Sequence, residues 1–306
     1  MKKTGRNSGE GAKDSPAAAL PTLPAVISLL SSLRPGESNS FDRILELARC
    51  EPCFAVDVLM IAGQLPSIEA GHLESLESAL GRIGISGAKT LVEGATSTVF
   101  TPVTDPQRLL WLHSLQVANA SELLAVKIPE AGIRPAEARL AGLLHDLGRF
   151  ADYLTDPTAP DRADAIGYQT PEALRYAERT VSGHDHVTSG TALARALGLP
   201  RQLCQVISAH HGGLPEPPGA TSRTKALIDL IAATDTLSVS LLSANRPSPE
   251  QLVAMVRRVT PGDLLKRYPA VAEQLPSIAD RTVDLAFADY GRLGLGRTRV
   301  HEAYGT

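Results

Sequence analysis

Apolar residues recur along the chain at intervals of three and four, the period of one buried helix face rather than the alternation of a strand. In "FDRILELARC", Phe41, Ile44, Leu45 and Ala48 take this spacing, and "AVDVLMIAGQL", "HLESLESALGRIG" and "SGAKTLVEGATS" continue it. The prolines of "LPTLPAVISLLSSL" fit a helix entry, and Gly81 and Gly84 stand where helices would end. In the second half, Asp105-Pro106, Arg134-Pro135, Thr170-Pro171, Leu199-Pro200 and Ser248-Pro249 each place proline at a first helical position. Three of these prolines follow a capping Asp, Thr or Ser. Long alternating patterns and repeats of fixed period are absent from the sequence. The pattern predicts an all-α chain of ten to thirteen helices, with a linker at 101–106 ("TPVTDP") and a Pro/Gly-rich loop from Gly212 to Gly219. Residues 1–18, rich in Gly, Ser and Lys without a hydrophobic period, read as a disordered tail.

Composition narrows the class. A chain of 306 residues, 43% hydrophobic and 21% charged, has the makings of one large folded domain or two modest ones. Lys and Arg number 30 against 33 Asp and Glu, a net charge of −3, which does not suit coating nucleic acid or an anionic membrane. Lys2 and Lys3 are followed by polar sequence, and Pro21 and Pro24 interrupt the apolar stretch at 17–33, so neither a secretion signal nor a membrane span is expected. Three cysteines cannot build a disulfide framework, which points to a reducing cytoplasm. The Cys50-x-x-Cys53 pair has no second pair to match it, and Cys204 falls in another helix, so a zinc or redox role is not expected.

The histidines carry the chemistry. Six of the eight lie between positions 113 and 211: His113 in "WLHSLQVA", His145 in "AGLLHDLGR", His184 and His186 in "GHDHVTSG", His210 and His211 in "ISAHHGG". Taken singly, each has an ordinary explanation. A lone histidine is usually a partly buried, hydrogen-bonded side chain, and a His-His pair before Gly-Gly suits a helix C-terminus. Asp235 is harder to explain, because a carboxylate within "LIDLIAATDTLSVSLL" must be paired, metal-bound or on a narrow polar stripe. Taken together, imidazole and carboxylate are the nitrogen and oxygen ligands of first-row divalent metals. Adjacent helical residues point about 100° apart, so His145-Asp146 or His210-His211 can reach two different ions, and one carboxylate can bridge both. Five neutral histidines and two carboxylates leave two divalent cations a net positive charge, suited to a phosphate oxyanion.

The order "HS…VA", "GLLHDLG", H-x-x-x-G, "HH" and a later Asp resembles the HD phosphohydrolase superfamily, an all-helical metal-binding fold. The first half is similar to the N-terminal lobe of HDOD proteins, bacterial signal-output domains related to HD-GYP phosphodiesterases; Glu178, eight residues before His186, fits that pattern too. The resemblance spans about residues 20–240. It implies a multi-helix HD-type bundle with an N-terminal helical HDOD lobe, divided as a lobe at 19–103, a metal-binding lobe at 104–243 and a helical extension at 244–306. Its ligand positions fall on His113, His145, Asp146, His186, His210, His211 and Asp235, and all seven are retained. His186 is preferred to His184 because only His186 has Gly190 four residues later. Arg149 takes the place of the lysine that follows His-Asp-x-Gly in many relatives, and with Asp146 forms the implied catalytic pair.

The departures shape the expectation. The Gly-Tyr-Pro signature of HD-GYP proteins is missing from "HHGGLPEPPGA", which counts against cyclic-dinucleotide hydrolysis. Leu109 stands where a third metal would need a glutamate, and Gly63-Gln64 replaces the usual Asn-Ser. With these departures, the resemblance implies a cytoplasmic signalling protein with one or two divalent ions, Fe or Mn ahead of Zn or Ni, and metal-dependent hydrolysis of a phosphoester or nucleotide. The competing reading is a non-catalytic output module that binds a partner protein or nucleotide. The N-terminal lobe is expected to pack over the helix at 106–127 near His113 and to control access. His72 and His301 read as surface residues outside the pattern.

Overall fold

A computed structural model of the chain describes residues 20–34, 39–65, 75–94, 99–212, 214–242, 247–259 and 264–305. The expected tail at 1–18, His72 and residue 213 of the predicted loop lie outside the described residues. The N-terminal helices are α1 (Pro24–Ser32), α2 (Ser40–Ala48), α3 (Pro52–Gly63) and α4 (Leu76–Gly94). The middle of the chain holds α5 (Asp105–Lys127), α6 (Pro135–Leu144), α7 (Leu147–Thr155), α8 (Ala159–Ile166), α9 (Pro171–Ser182), α10 (His186–Ala196), α11 (Arg201–Ala209) and α12 (Ser222–Leu241). Then come α13 (Pro249–Val259), α14 (Leu264–Arg267), α15 (Ala270–Arg292) and α16 (Arg299–Ala303). Among the described residues the fold is all-α; the one extended pairing is an isolated bridge between Thr22 and Val99. The sixteen α-helices among the described residues exceed the expected range because α14 and α16 are too short to show a period, and the turn at His145-Asp146 divides one apolar run into α6 and α7.

Proline and cap chemistry set most of the starts. Pro135, Pro171 and Pro249 open α6, α9 and α13 as expected, and Thr170 Oγ1 accepts from Ala173 N at 3.2 Å. Two starts shift by one residue. Thr104, not Asp105, caps α5: its hydroxyl accepts from Gln107 N, and Gln107 Oε1 accepts from Thr104 N at 3.2 Å, a reciprocal capping box. Pro200 caps α11 instead of opening it. Gly84 breaks α4 in two with φ 59°, a conformation glycine adopts without the Cβ penalty. The predicted linker is held at Thr104, whose hydroxyl donates to Asp161 Oδ2 at 3.1 Å, and just before it Phe100 N donates to Thr22 O at 2.9 Å and its ring lies edge-on to Tyr153.

The long helix α5 is the axis of the core, buried on almost every side. α6 lies close against it because residue 142 is glycine; a Cβ there would sit 2.8 Å from Val117 O. Trp111 is fully buried, donates to Glu51 Oε1 at 2.9 Å, and meets Phe150 edge-to-face at 5.1 Å. Burial pushes the Glu51 carboxyl up to about 7 against hydrogen bonds from Trp111 and Phe54. Arg49 binds Glu122 of α5 at 3.0 Å, and its carbonyl accepts from Arg139 of α6 at 3.0 Å. From the other end of the chain, Asp289 of α15 pairs with Arg139 at 2.8 Å. The N-terminal helices thus dock on the helix at 106–127 as expected, but at Trp111 and Glu122. His113, two residues past Trp111 and about 200° around the helix, faces α12 instead. No helix among the described residues is long and apolar enough to cross a membrane.

Candidate metal centre

Five segments aim side chains at one buried point: His113 from α5, His145 and Asp146 from the α6–α7 turn, His186 from the first position of α10, His210 and His211 from the end of α11, and Asp235 from α12. All seven are at most 3% exposed. They form two groups, Asp146 with His186, His210 and His211, and His113 with His145 and Asp235. Asp146 touches both. Its Oδ1 lies 3.1 Å from His186 Nε2 and 3.5 Å from His210 Nε2, while Oδ2 lies 3.4 Å from His113 Nε2. Asp235 Oδ1 lies 3.3 Å from His113 Nε2, and Oδ2 lies 3.5 Å from His211 Nδ1.

Two glycines bring α7 and α10 together here. A Cβ on Gly148 would collide with the His186 carbonyl and come within 2.6 Å of Gly190 N; a Cβ on Gly190 would lie 2.9 Å from Gly148 N. The helices meet backbone to backbone, which sets Asp146 beside His186. Asp185 caps α10, accepting from Thr188 N at 3.1 Å, and Arg175 and Arg179 grip its other oxygen at 2.8 and 2.7 Å. This fixes the turn that delivers His186.

Three histidine rings have an acceptor-only partner at Nδ1. His145 Nδ1 donates to Gly142 O at 2.7 Å, His210 Nδ1 to Ile207 O at 3.0 Å, and His186 Nδ1 to Glu178 Oε2 at 2.5 Å. A neutral ring with its proton on Nδ1 carries its lone pair on Nε2, and all three Nε2 atoms face the centre. His113 and His145 bring their Nε2 atoms to 3.1 Å, and His186 and His211 to 2.8 Å. Where both rings of such a pair carry their proton on Nδ1, the two lone pairs repel unless positive charge lies between them. Ionisation follows the same pattern. Burial opposes the charge on His186, but the carboxylates of Asp146 and Glu178 outweigh it and raise the ring to about 9. His113 is raised against burial by Asp146 and Asp235. Burial, with the neighbouring rings of His113 and His210, pushes His145 down to about 4, and burial also drives His211 well down. Each group therefore contains one ring whose carboxylate neighbours favour positive charge. Asp146 Oδ1, His210 Nε2, His211 Nδ1 and Asp235 Oδ2 are buried without a hydrogen-bond partner, as atoms of a cation site would be. A donor set of imidazole and carboxylate, without thiolate, fits a first-row divalent ion.

Arg149 sits at the edge of the cluster, half committed: Nη1 donates to Asp146 Oδ2 at 3.3 Å, and Nε lies 3.2 Å from Glu178 Oε1. A cleft opens beside it, lined by Arg149, Asp152, Tyr153, Pro160, Glu178 and His184. His184 is exposed and binds Asp152 at 3.1 Å, outside the cluster. Cys50 and Cys53 are free and buried, and burial pushes the Cys50 thiol up to about 12. Leu109 is a core residue of α5. His301 is not on the surface as expected: it is buried, accepts from Thr298 N, and stacks on Phe287 with ring centres 4.2 Å apart. Sequence reasoning gave no role to three orienting groups. Glu178 entered it only as a pattern match, and Gln116 and Ser238 did not enter it at all. Their signal was spacing, since Gln116 follows His113 and Ser238 follows Asp235 by three residues, one helix turn.

Over 139 residues the chain is 33% identical to ribonuclease Y of Thermus thermophilus, an alignment covering 45% of this chain and 18% of that protein. The chain spans about a fifth of the length of this and other curated ribonucleases Y that it matches. Among solved structures it resembles the MmoQ response regulator of Methylococcus capsulatus, with TM-score 0.59 and 21% identity over 82% of this chain and 97% of that one. It also resembles a virulence factor of Campylobacter jejuni, with TM-score 0.60 and 16% identity over 88% and 93% of the two chains. At these identities the likeness is one of fold. The HDOD domain family matches residues 20–212, well over half the chain and the stretch that carries six of the seven clustered residues. With its all-helical fold, the chain is a member of the HDOD domain family.

Proposed function

We propose that this HDOD protein holds two divalent cations in the buried cluster, one in each group, and hydrolyses a phosphoester as part of a signalling role. The observation that carries the reading is the convergence of seven buried imidazole and carboxylate groups in two sets, with three of the rings fixed from behind through Nδ1. Every donor is nitrogen or oxygen, which fits Fe, Mn, Zn or Ni, and the resemblance to HD proteins puts Fe or Mn ahead of Zn or Ni. A bound divalent ion would supply Lewis acidity toward a phosphoryl oxygen. The chain's residues do the rest. Asp146 spans the two groups with its two oxygens and sets their separation. Glu178 holds His186 in its ligating tautomer. Arg149, anchored by Asp146 and Glu178, keeps N–H groups free for a non-bridging phosphate oxygen. The adjoining cleft would receive the rest of the ester. The substrate class is a phosphodiester or nucleotide, in keeping with curated relatives named as ribonucleases. In this reading residues 104–243 carry the chemistry, and 19–103 and 244–306 dock a partner or support the core.

Elemental analysis of protein purified without a histidine tag, joined to turnover of bis(p-nitrophenyl) phosphate, tests the proposal. Stoichiometric transition metal with turnover lost in Asp146→Ala supports it. Metal-free protein that takes up no added Mn²⁺ or Fe²⁺ defeats it. A second reading, a metal-holding module that only binds a partner, is favoured by membership of a family of signal-output domains. Metal uptake without turnover would select it.

A further inference from the structure

We propose that Gln116 and Ser238 form a relay that fixes the tautomer of His113 and so aims its Nε2 into the centre; the inference rests on the metal reading above. His113 Nδ1 lies 2.8 Å from Ser238 Oγ, and Ser238 Oγ lies 2.7 Å from Gln116 Oε1. All three residues are buried, so water does not compete. The relay crosses between two helices. α5 supplies His113 and, one turn on, Gln116; α12 supplies Asp235 and, one turn on, Ser238. Each helix thus gives one candidate ligand and one orienting group.

The direction follows from counting protons. An amide oxygen only accepts, and Ser238 has one proton to give. Donated to Gln116 Oε1, that proton leaves the serine lone pairs facing His113, so the ring must bring its own proton on Nδ1. The ring lone pair then sits on Nε2, 3.1 Å from His145 Nε2 and 3.3 Å from Asp235 Oδ1. His145, His186 and His210 need no such device, because a carbonyl or a carboxylate at Nδ1 has no proton to offer. His113 alone among these four faces a hydroxyl, which can donate or accept. Without Gln116 the hydroxyl is free to turn, put its own proton on Nδ1, and move the ring proton to Nε2, where it blocks the metal.

Orienting partners of ligating histidines commonly tune metal affinity by 10–100-fold. The test is a Zn²⁺ titration of the full-length chain against a competing chelator, with ¹⁵N NMR of the neutral histidine rings in the chelator-treated protein before loading. The wild type should bind in two steps and show the His113 proton on Nδ1. Ser238→Ala should weaken one step by about 10–100-fold and leave the other in place. Ser238→Thr, which restores a hydroxyl, should recover it. Gln116→Leu should give His113 as a mixture of tautomers, which a purely structural role would not do. Unchanged steps in Ser238→Ala, equal weakening of both steps, or a proton on Nε2 in the wild type would overturn the relay. A wild type that takes up neither Zn²⁺ nor added Mn²⁺ or Fe²⁺ would instead defeat the metal reading, before any variant is compared.

Discussion

Gly148→Ala adds one carbon at the point where α7 and α10 touch. The new Cβ would collide with the His186 carbonyl and lie 2.6 Å from both Gly190 N and Ser189 Oγ, where ordinary contact begins at 3.4 Å. Relief needs a shift of more than about 1 Å between the two helices, because the closest obstacle, the His186 carbonyl, is backbone that cannot rotate away. Overpacking of this kind costs about 1–3 kcal/mol, and rigid backbone on both sides puts this site at the upper end. The same shift separates Asp146, two residues before Gly148, from His186, four residues before Gly190. Their contact is now 3.1 Å, and metal sites tolerate displacements well under 1 Å. Urea denaturation of chelator-treated protein should therefore show a loss of about 3 kcal/mol. A Zn²⁺ titration should show weakening of at least tenfold in the half that contains His186. Stability and affinity both within error of wild type would refute the close-approach account. Lost stability with unchanged affinity would show that the centre does not depend on this contact.

Asp146→Ala should lose most of its bound metal and His184→Ala should keep it, since Asp146 touches both groups and His184 is exposed against Asp152; elemental analysis of the two variants decides. Chelation should lower the melting temperature, because an ion at 100 times its dissociation constant contributes about 2.7 kcal/mol to the folded state; an unchanged melting curve would count against a structural ion. Burial raises the Glu51 carboxyl from 4.5 to about 7, so the folded state holds a proton that the unfolded chain has released, and stability should fall as pH rises from about 4.5 to about 7, by about 3 kcal/mol in all. Glu51→Gln should flatten that slope in urea denaturation across this range, and a slope identical to wild type would remove Glu51 as its source.

Helical periodicity and proline positions carried the fold in the sequence, because both act within a few residues. Pro135, Pro171 and Pro249 open helices as expected. The cap at Thr104 escaped notice because the Asp-Pro beside it is an equally good start signal; the glutamine three residues later completes a box with Thr104 and not with Asp105. The helices α14 and α16 escaped because four or five residues do not span enough turns to show a face. His301 read as exposed because a lone histidine near the chain end gives no sign of Phe287 stacking on it. The seven clustered residues were legible through motif order. Spacing alone could not have joined His113 to Asp235, since that contact exists only once α5 and α12 are packed. What fixes the rings was mostly illegible. His145 and His210 are oriented by the carbonyls of Gly142 and Ile207, and every residue type carries a carbonyl.

α5 explains why the N-terminal helices do not stand near His113. Aromatic residues make up only 4% of the chain, and the single tryptophan sits on this helix. Its indole is fully buried, takes Glu51 as its one acceptor, stacks with Phe100 and meets Phe150 edge-to-face, so the face at Trp111 is where the N-terminal segments gain most by docking. Glu122, further along the helix, adds the Arg49 pair. His113 is turned away from that face by helix geometry and is left to α12, whose Asp235 and Ser238 meet it. Among the described residues, no hydrogen bond or ion pair joins 20–94 to any of the seven clustered side chains. A change in the N-terminal helices can therefore reach the centre through elements they touch, among them α5, by way of Trp111 and Glu122; α6, by way of Arg139; and α7, which carries Arg149. In such an arrangement coupling passes through shared helices that have a docked face and a ligating face, and a lid over the metal pocket is not needed to produce it.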